Sequence, residues 1–285
     1  MDVKNNNFIS VIIPTLKRES VKVVLEALNK QTRKADEVIV VEDIYNESAS
    51  VVRNKGIEIC NGNLIAFLDD DTIPPEDWLE KFEKLIIEYD ADGISGNYIE
   101  TDPFLHEIRM TRKFPNKTIV NPDGYFGIGG NAMYTLSCFE RSKKAFGFVF
   151  DPSFRNTSED IDLALRLKVL GCKLVYTANH VIHLKKVNFK RYLRTQFIRG
   201  RGLYDLYLSS KKYQTNKILG NSLLWDSKKH RSSINKLISV FFNRIIGPFN
   251  RKDFSSLKYF LMFWMGEKVK SLGFACQAIT RKFKT

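Results

Sequence analysis

Residues 64–71 read Leu-Ile-Ala-Phe-Leu-Asp-Asp-Asp, an apolar run that ends in three carboxylates. The five apolar residues predict a buried strand. Because side chains alternate along a strand, Asp69 and Asp71 can lean toward the same side of the sheet's edge. Three like charges so close repel one another, so a cation is expected among them. Mg²⁺ is commonly bound by one or two carboxylates together with phosphate oxygens, so the triplet indicates a divalent metal beside a diphosphate.

The same triplet also has a purely structural interpretation. Residues 74–77, Pro-Pro-Glu-Asp, form a helix start, since proline suits the first helical turn and acidic side chains stabilise a helix N-terminus. On this interpretation the carboxylates of residues 69–71 only precede a helix. The triplet alone leaves both interpretations open, and the choice depends on what else the chain places beside it.

Strands and helices alternate through the N-terminal part of the chain. Apolar periodicity predicts strands over 8–14, 37–42 and 64–68 and helices over 20–31, 46–60 and 75–89. Such alternation is typical of βαβ units, so we predict an α/β fold with a mostly parallel sheet flanked by helices. Sheets of this kind bind ligands beyond the carboxyl ends of their strands. The residues that follow these ends are Thr15, Lys17, Glu42, Asp43 and residues 69–71.

A later segment adds acidic residues at a predicted helix start. Thr157 predicts the N-cap of a helix whose first turn carries Glu159 and Asp160. A further strand is predicted over 173–177, and His183 follows it. These residues are the remaining candidates for chemistry at the sheet's edge.

Charge is distributed unevenly along the 285 residues, whose net charge is +13. Residues 1–183 hold 22 Lys and Arg against 28 Asp and Glu, whereas residues 184–285 hold 23 against four. A strongly basic C-terminal part behind a near-neutral body implies an anionic partner for that part. We therefore predict two domains, 1–183 and 184–285.

The cysteines and the N-terminus indicate a cytoplasmic protein. Cys60, Cys138, Cys172 and Cys276 are isolated from one another in sequence, which is typical of core thiols in a reducing compartment. Residues 1–7 are polar and lead directly into a strand, so no signal peptide is expected.

Six motifs, weak individually, are informative in their order and spacing. They are Val11-Ile12-Ile13-Pro14-Thr15, Glu37-Val38-Ile39-Val40-Val41-Glu42-Asp43, Arg53-Asn54-Lys55-Gly56, Ala66-Phe67-Leu68-Asp69-Asp70-Asp71, Gly129-Gly130-Asn131 and Ser158-Glu159-Asp160-Ile161-Asp162-Leu163. Together they resemble a family 2 glycosyltransferase of the GT-A fold, a nucleotide-diphospho-sugar transferase, over about residues 8 to 200. The resemblance implies a Rossmann-like sheet, and a basic amphipathic helical region follows it in this chain.

The resemblance implies a donor-binding set along the sheet's edge. It comprises Pro14, Thr15, Glu42, Asp43, Arg53, Asp69 and Asp70. Asp43 would accept a hydrogen bond from the donor base, although Ile44 and Tyr45 stand where family members carry Gly-Ser. Arg53 would lie near the nucleotide. The alternatives are that Asp43 is a solvated loop acid and that Arg53 lies on a solvated helix face.

The resemblance also implies a metal site. The metal residues would be Asp71, Asp69 and His183. Asp71 would bind Mn²⁺ or Mg²⁺ directly, Asp69 would share the metal and diphosphate roles and point toward the ribose and nucleotide, and His183 would complete the site. A bound cation stabilises the charge that grows on a nucleoside diphosphate when it leaves the sugar. The alternative for His183 is an ordinary loop residue.

For catalysis, the resemblance implies that Asp160, with Glu159 beside it, is the general base. A carboxylate within hydrogen-bond reach can take the proton of an attacking hydroxyl. Both acids also suit a helix N-terminus without any catalysis. Gly129, Gly130 and Asn131 would bind the acceptor, since glycine lets the backbone approach a ligand closely; alternatively they only shape a turn.

The basic C-terminal part predicts helices at a membrane surface. Residues 196–200, Gln-Phe-Ile-Arg-Gly, resemble the Gln-x-x-Arg-Trp element of processive family members, but Gly200 replaces the tryptophan, which argues against a glucan-threading synthase. Charges interrupt the apolar runs 237–246 and 257–265 before the roughly 18 residues that a spanning helix needs. Mixed aromatic, apolar and basic residues favour helices lying in the interface. The alternative is an ordinary helical subdomain.

The sequence thus predicts a metal-dependent, inverting glycosyltransferase at the inner face of the cell membrane. It would move a sugar from a UDP-linked donor to a lipid-linked or surface-glycan hydroxyl, with peripheral contact to anionic lipid and no nucleic acid. One alternative is a nucleotidyltransferase, but residues 15–19 lack the glycine such a phosphate loop requires. Another is a non-catalytic basic protein that binds membrane or nucleic acid.

Overall fold

The computed structural model describes residues 7–17, 19–45, 47–111, 115–122, 129–155, 157–215 and 257–282. Its strands are β1 Ile9–Thr15, β2 Glu37–Glu42, β3 Leu64–Leu68, β4 Thr72–Ile73, β5 Gly93–Glu100, β6 Ile119–Val120, β7 Asn131–Thr135 and β8 Leu174–His183. Its helices are α1 Ser20–Asn29, α2 Ala49–Ile59, α3 Trp78–Tyr89, α4 Pro103–Thr111, α5 Leu136–Phe146, α6 Glu159–Val169, α7 Phe189–Lys212 and α8 Leu257–Lys282.

The chain divides into two compact units. The first contains Met1–Ile99 and Asn116–Leu184, and the second contains Glu100–Pro115 and Lys185–Thr285. The predicted first domain, 1–183, included residues 100–115, which group with the second unit in the structure. Their helix α4 packs there through Phe104 and Ile108 against Tyr192 of α7.

The first unit is built on one mixed sheet. The strand order is β2-β1-β3-β7-β5-β8-β4, with β6 paired to β8. The strands β2, β1 and β3 are parallel, as the βαβ pattern predicts, whereas β7 runs antiparallel to both β3 and β5. This sheet, with helices packed on it, confirms the predicted α/β fold class.

Two apolar layers cover the faces of the sheet. Alternate residues of β3 point to opposite faces: Ala66 packs with Trp78 and Phe82 of α3, and Phe67 packs with Phe139 of α5 and with α6. Because β3 is buried on both faces, every one of its five residues is apolar, which is the composition expected of a strand inside a doubly covered sheet. The polar residues that follow β3 therefore start where the covered part of the sheet ends.

Two predicted boundaries differ from the structure. The strand predicted over 173–177 continues as β8 to His183, because its second half pairs with β4, with Thr72 opposite His183. The helix predicted to be capped by Thr157 begins at Glu159, and its N-cap is Ser158 in the left-handed region, with φ 79° and no side-chain capping bond. The first difference places His183 on a strand instead of in a loop.

The described part of the second unit contains α4, α7 and α8, and α7 and α8 lie unusually close together. A Cβ on Gly200 would lie 1.9 Å from the carbonyl oxygen of Lys270, and a Cβ on Gly273 would lie 2.1 Å from that of Phe197. Any larger residue at these positions would push the helices apart. This close approach is a physical reason for glycine at position 200, where processive enzymes carry tryptophan.

A buried polar cluster also joins these two helices. Asp205 of α7 accepts hydrogen bonds from Gln277 at 2.9 Å and from Arg281 at 2.9 Å. In the described part of the chain, no helix combines the length and apolar composition needed to cross a bilayer. The predicted run 237–246 lies outside the described residues, and the run 257–265 forms the start of α8.

Candidate active site

The carboxyl ends of β1 and β3 meet at the predicted edge of the sheet, and Asp70 joins them. Asp70 is 5% exposed and accepts a hydrogen bond from the Thr15 hydroxyl at 2.7 Å. The backbone N–H of Asp43, after β2, donates to the carbonyl of Thr15 at 2.8 Å. Thr15, Asp43 and Asp70 are therefore brought together as predicted, with Asp70 facing the protein interior.

Asp69 is held on both of its carboxylate oxygens. Arg53 donates to Oδ1 at 3.2 Å, and the Tyr98 hydroxyl donates to Oδ2 at 2.8 Å. The carboxylate rests directly on the backbone of Gly130, where a Cβ would lie 2.0 Å from the Asp69 carboxyl. These contacts fix the Asp69 side chain, and they explain why position 130 must be glycine.

Arg53 joins the end of β3 to the start of α6. The guanidinium, only 5% exposed, donates through Nη2 to Asp69 and through Nη1 to Glu159 at 2.7 Å. Burial alone would lower the pKa of Arg53, but the carboxylates of Glu159, Asp69 and Asp160 outweigh it and raise that pKa. The expectation of a solvated helix face for Arg53 is wrong, because α2 turns this side chain inward.

Asp160 is placed by two backbone groups. Its Oδ2 accepts from the N–H of Gly129 at 3.1 Å, and its Oδ1 accepts from the N–H of Ile161 at 2.8 Å. Burial raises the pKa of Asp160 to about 7, the neighbouring Glu159 carboxylate adds to this, and Arg53 opposes it. A carboxylate that titrates near neutrality is suited to accept a proton at physiological pH.

The loop before α6 is anchored to α2 by Asn54, a residue of one of the six motifs for which the sequence predicts no role. Asn54 donates to the carbonyl of Phe150 at 2.8 Å and accepts from the N–H of the same residue at 3.0 Å. Ser50 adds a hydrogen bond to the carbonyl of Phe154 at 3.2 Å. One turn of α2 thus presents Arg53 to the acidic residues and also holds the loop that leads to them.

Asp71, which directly precedes β4, and His183, the last residue of β8, lie side by side. The Nε2 of His183 is 3.4 Å from Oδ1 of Asp71, and the N–H of Leu184 donates to the Asp71 carbonyl at 2.8 Å. Within the described residues, no three His, Cys, Asp or Glu side chains lie close enough together to hold a metal ion unaided. A carboxylate oxygen and an imidazole nitrogen nevertheless suit a divalent cation that takes its other ligands from phosphate oxygens.

Asn131, a predicted acceptor residue, is wholly buried at the start of β7. Its Oδ1 accepts from the Trp78 indole at 2.8 Å, and its Nδ2 donates to the carbonyl of Asn97 at 2.7 Å. Gly129 packs against the Arg53 guanidinium, since a Cβ at position 129 would lie 3.0 Å from Nη2 of Arg53. In the structure these residues support Arg53 and the strand ends, and acceptor binding by Gly129, Gly130 and Asn131 stays a prediction.

The remaining donor-side residues form the outer part of the edge. Glu42 pairs with Lys17 at 2.9 Å, and Oδ1 of Asp43 accepts from the N–H of Glu47 at 2.8 Å. Pro14 lies opposite Val41 in the parallel register of β1 and β2. Contact of Asp43 with a donor base stays a prediction, as do the roles of Pro14 and Glu42.

Sequence reasoning missed Tyr98. This residue lies on β5, donates to Asp69, and stacks on His183 with ring centroids 4.9 Å apart and an interplanar angle of 26°. The segment around it carries none of the six motifs. Only its place in the sheet, two strands from β3, brings it to the site.

Comparisons with known proteins concern the family and the fold of this chain. The family model described as Glycosyl transferase family 2 matches residues 44–145. The chain is 30% identical to Glycosyltransferase GlyA of Streptococcus pneumoniae serotype 4 over 32% of this chain and 16% of that relative, so it spans a small part of the relative's length.

A solved structure shares the fold over nearly the whole chain. It is a mannosyltransferase from Pyrobaculum calidifontis, determined in complex with GDP-Man and Mn²⁺, with a TM-score of 0.59 and 11% identity over 96% of this chain and 87% of that one. At this identity the likeness shows the fold alone. The predicted GT-A type of fold is thereby confirmed.

Together these findings confirm the resemblance to family 2 glycosyltransferases. The matched segment 44–145 includes the carboxylates 69–71 and Arg53, which is hydrogen-bonded to Asp69. The chain thus resembles family 2 glycosyltransferases over this segment and has the fold of a nucleotide-sugar transferase.

Proposed function

We propose that this chain is a metal-dependent, inverting glycosyltransferase that moves a sugar from a nucleotide-diphosphate donor to an acceptor hydroxyl. The observation that carries the proposal is the placement of Arg53 between Asp69 and Glu159, with Asp160 beside it. The buried Arg53 guanidinium thereby links Asp69, on the predicted diphosphate side, to Glu159, the neighbour of the predicted base Asp160. Arg53, Asp69 and Glu159 come from α2, the end of β3 and the start of α6, so only the folded chain assembles them.

Asp71 and His183 are the residues that would hold Mn²⁺ or Mg²⁺ in the proposed enzyme. When bound, the cation would offset the negative charge that develops on the departing nucleoside diphosphate. Asp69, which is held by Arg53 and Tyr98, would then act as a fixed neighbour of the diphosphate. Thr15 and Asp43 would lie along the nucleoside.

Asp160 is the base in this mechanism. The Glu159 carboxylate accepts a hydrogen bond from Arg53 at 2.7 Å, whereas the two oxygens of Asp160 accept from the backbone N–H groups of Gly129 and Ile161. The acceptor oxygen would bond to C1 of the sugar while the C1–oxygen bond to the diphosphate breaks on the opposite face. The hydroxyl proton would pass to Asp160, and the single displacement would invert the anomeric configuration.

The donor test is a thermal-shift panel of UDP, GDP and other nucleoside diphosphates with and without Mn²⁺. A ligand of the native state raises the midpoint according to its concentration and affinity. UDP is the expected ligand, and GDP is included because the mannosyltransferase from Pyrobaculum calidifontis was determined with GDP-Man. No stabilisation by any nucleotide would contradict the proposal.

The inverting mechanism has its own test. NMR of the first-formed product reports the anomeric configuration at the transferred sugar before any equilibration. The proposal expects the configuration opposite to that of the donor. A product that keeps the donor's configuration would exclude the single displacement.

We also propose that the second unit binds the inner face of the cell membrane and meets a lipid-linked or surface-glycan acceptor there. Supporting this, α8 exposes five apolar side chains at spacings of four or seven residues, which places them on one face. They are Leu257, Leu261, Met265, Leu272 and Ile279. The surplus of basic residues in 184–285 suits anionic lipid.

Flotation with vesicles separates this membrane proposal from the transfer reaction. The wild type should float with vesicles of phosphatidylcholine and phosphatidylglycerol and should stay behind with phosphatidylcholine alone. Replacing both Leu261→Glu and Leu272→Glu should abolish flotation without changing nucleotide affinity. Flotation of that double variant equal to wild type would contradict the assignment of α8.

A further inference from the structure

Tyr98 contacts both halves of the proposed metal and diphosphate site. Its hydroxyl donates to Asp69, and its ring stacks on His183, whose imidazole faces Asp71. We propose that Tyr98 is a positioning residue that fixes Asp69 and the Asp71–His183 pair relative to each other, and so sets the affinity for a metal–nucleotide complex. This inference rests on the proposed function and adds a residue that no motif in the sequence indicates.

The hydroxyl contact fixes the Asp69 carboxylate. The phenol hydroxyl donates to Oδ2 of Asp69 at 2.8 Å. With Arg53 on Oδ1, Tyr98 on Oδ2 and the backbone of Gly130 beneath, both oxygens and one face of the carboxylate are held.

The ring contact fixes the imidazole of His183. The two rings are nearly parallel, at 26°, with centroids 4.9 Å apart. The pairing of β4 with β8 already fixes the backbone position of His183, since Thr72 lies opposite it. The stacked ring adds a side-chain constraint that keeps the plane of the imidazole directed toward Asp71, 3.4 Å away.

Residues that orient metal ligands without touching the metal commonly change metal affinity by 10–100-fold when they are replaced. The contributions of Tyr98 can be separated because its contact with Asp69 is made by the hydroxyl and its contact with His183 by the ring. Tyr98→Phe removes the hydrogen bond to Asp69 and keeps the ring on His183. Tyr98→Leu removes both. Tyr89 provides a matched control, because it also packs at the edge of the same apolar core.

The experiment measures Mn²⁺ binding by electron paramagnetic resonance of the free ion, in the presence of UDP and separately of GDP. The full chain is used as wild type and as Tyr98→Phe, Tyr98→Leu and Tyr89→Leu. We expect Tyr98→Phe to weaken Mn²⁺–nucleotide binding several-fold and Tyr98→Leu by about 10–100-fold. Tyr89→Leu should bind as the wild type does, although it also loses packing.

The outcomes separate this inference from the proposed function. If the wild type binds no Mn²⁺–nucleotide complex, the proposed function fails and the inference fails with it. If the wild type binds but Tyr98→Leu and Tyr98→Phe bind within twofold of it, the inference alone is overturned. Should Tyr98→Leu fold too poorly to measure, the result for Tyr98→Phe decides, because that variant keeps the ring. An equal loss in Tyr89→Leu would also overturn it, since general loosening would then explain the effect.

Discussion

Helix α6 carries two charge clusters one turn apart, and they differ in balance. In the second cluster, Arg166 donates through Nε to Asp162 at 2.7 Å, and its other nitrogens donate to the Ser142 hydroxyl and to the carbonyl of Val149. Both charged residues are buried, and within the described part of the chain they pair one cation with one anion. This pair ties α6 to α5 and to the loop before it.

Among the residues that the structure describes, the first cluster has one cation for three carboxylates. Arg53 lies among Asp69, Glu159 and Asp160, and burial together with the charge of Glu159 raises the pKa of Asp160 to about 7 against the opposing effect of Arg53. A balanced buried pair has its charge satisfied within the protein, whereas an unbalanced cluster favours protons and cations from outside. We therefore propose that the Asp162–Arg166 pair serves stability and that the first cluster serves the proposed transfer reaction.

Removing the base should have the largest effect on the first cluster. Asp160→Asn keeps the shape of the side chain but cannot take a proton, so transfer should fall by roughly 10²–10⁴-fold, the usual contribution of a general base. Nucleotide affinity should stay within twofold, measured by calorimetry beside steady-state rates. Asp90→Asn is the control. Asp90 is exposed, and its backbone lies in the left-handed region with φ 46°, where asparagine is tolerated. Normal turnover in Asp160→Asn would remove the base assignment.

Breaking the balanced pair should instead cost stability. Arg166→Leu leaves the Asp162 carboxylate buried without its partner, which should lower the free energy of unfolding by about 3–5 kcal/mol. Urea denaturation measures this loss. The double variant with Asp162→Leu removes the unpaired charge and should recover part of it. A stability of Arg166→Leu equal to that of the wild type would contradict the claim that Arg166 stabilises the buried Asp162 carboxylate.

Removing the cation of the first cluster should move a pH profile. In the wild type, kcat/KM should rise with pH through about 7, because Asp160 accepts a proton only when ionised and is protonated below its pKa. Arg53 lowers the pKa of Asp160, so Arg53→Met should shift the rising limb to higher pH. Arg53→Lys, which keeps the charge, should shift it less. A uniform loss of rate at every pH would indicate only a structural role.

The smallest effect concerns the glycines. Gly130→Ala would place a methyl group 2.0 Å from the Asp69 carboxyl and displace that side chain. Nucleotide affinity should fall by about tenfold, as it commonly does when a residue that orients a ligand-binding group is replaced. Gly147→Ala is the contrast, since nothing lies near its Cβ although φ is +87°. It should cost about 1–2 kcal/mol of stability and leave affinity unchanged. Equal affinities in the two variants would contradict the proposed support of Asp69 by Gly130.

The sequence predicts the parallel part of the fold well, because β1, β2 and β3 are short apolar runs separated by helices with a clear buried face. It also indicates which residues lie at the sheet's edge, since Thr15, Asp43 and Asp70 simply follow strand ends. These signals are local in the chain. The confirmed family resemblance rests on the same local motifs in order.

The cluster itself is not local, which is why sequence reasoning described it incompletely. Arg53 and Glu159 are far apart in the chain, and no periodicity indicates that α2 turns a guanidinium toward α6. Tyr98 reaches Asp69 only through the antiparallel strands β5 and β7. The sequence shows that Gly200 departs from a motif, but the reason for glycine there is the close approach of the Lys270 carbonyl, which belongs to a helix distant in the chain.

Isothermal titration of UDP and GDP into the full chain, with Mn²⁺ and with a chelator, shows whether the acidic edge of the sheet binds a metal–nucleotide complex. We expect at least one nucleotide to bind in the presence of Mn²⁺, and we expect both the chelator and Asp71→Asn to abolish most of this binding. Binding that ignores both the chelator and Asp71→Asn, or no binding under any condition, would contradict this expectation.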